Sequence, residues 1–128
     1  MPSLVQFDTA KFDFANEPEN PINPIPGESV LRWVKQVLGN EFAIGEPAAE
    51  DWGWYCDVTK DGVVSLLGAS AEPNDDGSWH VMIQVQPHRS MMDRLSGKKA
   101  PYDALAPAIA EAAYEDPAMT NVELEGTR

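Results

Sequence analysis

Trp52-Gly53-Trp54-Tyr55-Cys56-Asp57-Val58-Thr59-Lys60-Asp61-Gly62-Val63-Val64-Ser65-Leu66-Leu67-Gly68-Ala69-Ser70-Ala71-Glu72-Pro73-Asn74-Asp75-Asp76-Gly77-Ser78-Trp79-His80-Val81-Met82-Ile83-Gln84-Val85-Gln86 decides the fold. Its residues alternate with the period of two that a half-buried strand requires. The alternation is interrupted at Asp61-Gly62 and again at Pro73-Asn74-Asp75-Asp76-Gly77, which divides the stretch into three consecutive strands. Asp-Gly between alternating stretches favours a two-residue hairpin, which sets Cys56 opposite Leu67 and Tyr55 opposite Gly68. The second, looser hairpin roughly aligns Leu67 with Ile83. In this register one face carries Trp52, Trp54, Cys56, Val58, Leu67, Ala69, Trp79, Val81, Ile83 and Val85, the expected core face. The other carries Tyr55, Asp57, Leu66, Gly68, Ser70, His80, Met82, Gln84 and Gln86, a mixed surface.

Outward from this block, Val30, Leu31, Val34, Val37 and Leu38 fall at helical spacing, with Arg32, Lys35 and Gln36 facing away and Gly39 placed to end the helix. This helix is expected to dock through Val30, Val34 and Val37. Residues 1–25 are rich in Pro and Asn. They read as an extended N-terminal segment packed on the domain, with a short edge strand at Leu4–Phe7 and prolines that exclude a helix after it. A short strand is expected at Glu41–Ile44, a capped helix from Ser90 to Gly97, a second long helix with Pro107 in its first turn ending near Glu115, and a last strand at Asn121–Glu125. The expected fold class is α+β: residues 26–128 form a single two-layer domain, a central antiparallel meander with helices packed on one face.

Composition limits the function. The chain has 128 residues, 43% of them hydrophobic, enough for one core that buries about two-thirds of the unfolded surface. A net charge of −12 repels phosphate backbones and anionic lipid, so neither direct nucleic-acid binding nor membrane binding is expected. The charge is uneven. Between residues 88 and 99, Arg89, Arg94, Lys98 and Lys99 face one acid, Asp93, so this island is net +3 and the rest of the chain is −15. These four cations are a candidate anion or partner contact, the competing reading being a solvated turn paired with the acidic remainder. A cytoplasmic setting is expected, since no secretory signal is visible at the N-terminus and a lone cysteine forms no internal disulfide.

No catalytic residue, metal ligand set or cofactor motif stands out. Cys56 has no motif partner, and its parity with Trp54 and Val58 makes it a buried structural thiol. His80 and His88 form no recognisable ligand set with it. The adjacent acids Glu50-Asp51, Asp75-Asp76 and Glu115-Asp116 read as solvated loop and helix-end residues. Tyr55, Asp57, His80, Met82 and Gln84 share one sheet face and form the candidate binding face; the competing reading is a solvated side of an antiparallel sheet.

Asn23-Pro24-Ile25, Glu50-Asp51-Trp52-Gly53-Trp54-Tyr55, Leu66-Leu67-Gly68-Ala69-Ser70-Ala71 and His88-Arg89-Ser90 together resemble short, ordered matches in a group of small uncharacterised bacterial proteins with no assigned activity. The resemblance runs from about Asn23 to Asp116 and implies a bacterial origin and a cytoplasmic setting. The expected function is a noncatalytic acidic protein-binding or regulatory protein of the inhibitor or immunity type, whose partner is a basic protein. The alternative is a small-molecule-binding protein or hydrolase using the Tyr55/Asp57/His80 face.

Overall fold

The computed structural model describes residues 3–60, 62–88 and 104–125. In chain order these form β1 (Ser3–Thr9), a 3₁₀ turn at Phe14–Asn16, α1 (Glu28–Leu38), β2 (Ala43–Ile44), β3 (Ala48–Glu50), β4 (Gly53–Lys60), β5 (Val63–Pro73), β6 (Trp79–His88), α2 (Leu105–Glu115) and β7 (Met119–Glu125). The architecture is mixed α+β: among the described residues, a seven-stranded sheet of order β2-β4-β5-β6-β1-β7, with β3 also on β4, and two helices. Every strand pairing is antiparallel. No helix among the described residues is long and apolar enough to cross a membrane.

The central meander forms in the expected register between β4 and β5. Cys56 stands opposite Leu67, Tyr55 opposite Gly68 and Lys60 opposite Val63. Between β5 and β6 the register is two residues from expectation, with Leu67 opposite Val85 and Ala69 opposite Ile83. Because side chains alternate with period two, this shift leaves every side chain on its expected face. Val5, Ile83, Ala69 and Trp54 therefore lie in one row, all buried.

Three expectations are corrected. The Leu4–Phe7 stretch is not an edge strand: β1 lies between β6 and β7, with Val5 and Phe7 fully buried. Trp52 is not on the core face. It sits in the two-residue turn between β3 and β4, where Glu50 pairs with Gly53. Gly53 adopts φ +148°, and a side chain there would strike the Ala69 carbonyl. That conformation breaks the alternation and sends the indole of Trp52 over Gly68 on the opposite face. Finally, Val37 is 44% exposed, and α1 buries Val30, Leu31, Trp33, Val34 and Leu38 instead. Trp33 turns the buried face, since its ring meets Phe7 and Phe12 edge-on at 6.0 and 6.1 Å.

One hydrophobic cluster joins α1, α2 and the inward residues of the sheet. In α2 the buried positions are Leu105, Ala106, Ile109, Ala110 and Ala113; the three alanines allow close approach to β1 and β7, and Leu105 and Ile109 fill the core. The Pro-rich connector is tied down by Asn20. Its amide donates to the carbonyls of Glu50 and Gly53, both at 2.9 Å, and its side-chain oxygen accepts from the Ile22 and Asn23 backbone. The Ser90–Gly97 helix expected from sequence lies outside the described residues.

Candidate functional site

The sheet face opposite the hydrophobic cluster holds all five expected binding residues, but not in one place. Tyr55, Gly68, Gln84 and Leu4 form one cross-strand row, and Asp57, Leu66 and Gln86 form the next. Met82 lies one row to the other side of the Tyr55 row, between Ser70 and Gln6. His80 is four residues from Gln84 along β6, about 13 Å at the rise of a strand. Tyr55 and Asp57 therefore share the face with His80 but lie well away from it.

At the Tyr55 end, Trp52, Leu66, Gly68, Gln84 and Gln86 enclose a shallow notch of about 160 Å³. Trp52, 37% exposed, forms one wall, lying so close to Gly68 that a β-carbon there would collide with the ring. Glycine is thus what admits the indole to the sheet surface.

At the other end His80 bridges to β1. Its Nδ1 lies 2.9 Å from Asp8 Oδ1 and its Nε2 lies 3.0 Å from Gln6 Oε1. Asn121 donates to Asp8 Oδ2 at 2.8 Å, and Asn74 donates to Oδ1 at 3.2 Å. The Asn121 hydrogen bond, followed by the His80 contact, holds the Asp8 carboxyl below the usual carboxylate range, against a smaller opposing effect of burial. Asn121 reaches Asp8 because β7 is irregular between the partners of Gln6 and Asp8, and Asn121 takes φ +55° there. Both ring nitrogens of His80 are thus engaged within this network, one with Asp8 and the other with Gln6. Next to it, Asp8, Asn74, Asp75, Asp76, Ser78 and Asn121 line part of an open depression of about 530 Å³.

Cys56 is 2% exposed, and burial, with a smaller contribution from Asp57, pushes its thiol up to about 11. A thiol so placed carries little thiolate near neutrality and is chemically quiet. Among the described residues, no three His, Cys, Asp or Glu side chains are grouped to hold a metal ion. Arg89, Arg94, Lys98 and Lys99 lie outside the described residues.

A third feature lies between the helices. Val37 and Leu38 at the end of α1, Glu41 beyond it, Ala108, Glu111, Ala112 and Glu115 of α2, and Asp116-Pro117 bound a groove of about 590 Å³. Its lining mixes apolar side chains, Val37, Leu38, Ala108 and Ala112, with acidic ones, Glu41, Glu111, Glu115 and Asp116. Asp116 is held by Lys11 Nζ at 2.7 Å, whereas Glu41, Glu111 and Glu115 are exposed and meet no cation among the described residues. On the outer side of α1 the cations are already engaged: Arg32 pairs with Glu28 and Glu46, and Lys35 pairs with Glu46 at 2.7 Å.

Neither the groove nor the Asp8 network was among the sequence-derived sites. The signal for the network was the alternation Val5-Gln6-Phe7-Asp8, which places Gln6 and Asp8 beside His80 once β1 is an inner strand. The signal for the groove was Ala108/Ala112 and Glu111/Glu115, two pairs spaced one helical turn apart. No family model matches the chain, and no curated protein or solved structure matches it.

Proposed function

We propose that the protein is a noncatalytic acidic binding protein, of the inhibitor or immunity type, that captures a basic protein partner in the groove between α1 and α2. In this reading both helices cover the Trp54/Trp79 face of the sheet, and the groove between them is the outer surface of the helical layer. One observation carries the reading: Val37, Ala108 and Ala112 line the same groove as three exposed carboxylates, Glu41, Glu111 and Glu115, that no cation among the described residues neutralises. Apolar contact supplies affinity there, while the carboxylates and the net charge of −12 steer a cationic partner and repel nucleic acid.

The test is the affinity of the intact protein for an unstructured lysine-rich peptide. Replacing Glu41, Glu111 and Glu115 by Gln together weakens binding by about tenfold or more, and raising salt from roughly 0.05 to 0.5 M weakens the unmodified protein similarly, because the Debye length shortens several-fold. Affinity unchanged by the triple substitution rules the groove out as the seat.

A second reading, a small-molecule site, is favoured by the notch beside Trp52, where an exposed indole faces the side chains of Gln84 and Gln86. It predicts a ligand whose binding is lost in Trp52→Ala and unaffected by the Gln substitutions in the groove.

A further inference from the structure

We propose that the occupant of the α1/α2 groove is a basic amphipathic helix of the partner protein, an inference that rests on the protein-binding reading and specifies it. The walls of the groove are helices whose backbone groups are largely bonded internally, so the groove offers no ladder of free N–H and C=O groups. An extended segment laid there would leave its own backbone unpaired wherever water is excluded, whereas a helix arrives with its backbone already satisfied.

The apolar lining suits a helix too. Ala108 and Ala112 lie one turn apart on α2, and small side chains at that spacing let a second helix approach to the usual packing distance while Val37 fills a gap in its apolar stripe. Glu111 and Glu115 repeat with the same one-turn spacing on one wall and Glu41 stands beyond the end of α1, so Lys or Arg on both flanks of an apolar stripe finds an acid. The ends of both helices border the groove, and the negative poles of their dipoles add to the same field. A second copy of this chain is a poor occupant. It carries −12 itself, so two copies repel one another overall.

The experiment measures fluorescence anisotropy of the full 128-residue protein with two Leu/Lys peptides of identical apolar and basic pattern. One is locked as a helix by lactam bridges, because short helices are marginal alone; the other is broken by two prolines. The locked helix is expected to bind about tenfold or more tightly than the broken one, and both Ala112→Trp, which fills the groove, and Glu111→Lys, an exposed reversal that spares the core, are expected to remove that advantage. Equal binding of the two peptides, both weakened by Glu111→Lys, overturns the helix and leaves the basic-partner reading standing. Binding of neither peptide overturns both. Preferential binding of the locked helix that neither substitution weakens moves the site out of the groove and overturns the inference. A protein that sediments as a dimer and becomes monomeric on peptide addition assigns the groove to a second copy instead.

Discussion

The carboxylate of Glu17 accepts hydrogen bonds from the backbone N–H of Gly27 at 3.0 Å and of Ser29 at 2.9 Å. Oε1 also accepts from the Glu28 N–H at 3.2 Å, and Oε2 from the Ser29 hydroxyl. Gly27, at the N-cap of α1, has no side chain to cap with, so the exposed donors of the first turn are met from the connector ten residues earlier. Glu17→Ala should lower stability by about 1–2 kcal/mol through loss of the cap and of a negative charge at the positive end of the helix. Glu17→Gln, which keeps one acceptor oxygen, should cost less. Urea unfolding midpoints of the three proteins check the order; an alanine variant as stable as the parent contradicts the cap.

Cys56, with its thiol pushed up to about 11, should react slowly with a water-soluble thiol reagent in the native protein and at the rate of a free thiol in denaturant. Cys56→Ser should destabilise by about 1–3 kcal/mol, because a hydroxyl replaces sulfur in a core that offers it no designed partner. Fast labelling of the folded protein contradicts the burial.

Val34 is fully buried and Val37 is 44% exposed, although both fit the same helical stripe in the sequence. Val34→Ala should cost about 1–3 kcal/mol. Val37→Ala should leave the unfolding midpoint almost unchanged while weakening binding in the groove. Arg32→Ala should cost more than an ordinary surface change, since it leaves the buried Glu28 carboxylate without its ion-pair partner.

Asp8 links pH to stability. Its folded value lies below its unfolded one, so its contribution is complete above the unfolded carboxylate range and is lost as pH falls through the lower folded value. Asp8→Asn should therefore destabilise the protein at neutral pH and narrow its difference from the parent under acid. Asn121→Ala removes the largest cause of the shift and should raise the Asp8 value, which NMR titration of the carboxyl measures directly. An unchanged titration contradicts the assignment.

Legibility followed the range of the forces involved. The β4–β6 meander was readable because alternation and an Asp-Gly turn are local signals, and even the two-residue error opposite Leu67 left the faces intact. The place of β1 was not readable, because the Pro and Asn residues after it favour an extended connector while its two partners, β6 and β7, are set only by the tertiary fold. Trp52 went to the wrong face because alternation was extended through Gly53, where a positive φ ends it. The candidate binding face was readable as a face but not as a site, since residues of like parity on one strand can be far apart. The groove was half readable: Ala108/Ala112 and Glu111/Glu115 mark its α2 side as local one-turn pairs, whereas the approach of Val37 and Leu38 of α1 is set only by the tertiary fold.

The most direct measurement of the central claim is a map of backbone amide chemical shifts in the isotope-labelled protein as an unstructured lysine-rich peptide is added at low salt. The account predicts that the largest changes fall on Val37, Leu38, Glu41, Ala108, Glu111, Ala112 and Glu115, and that they fade as salt is raised. Changes concentrated instead on Asp8, Asp75 and Asp76, or on the Trp52 face, or spread evenly over all exposed acids, would contradict it.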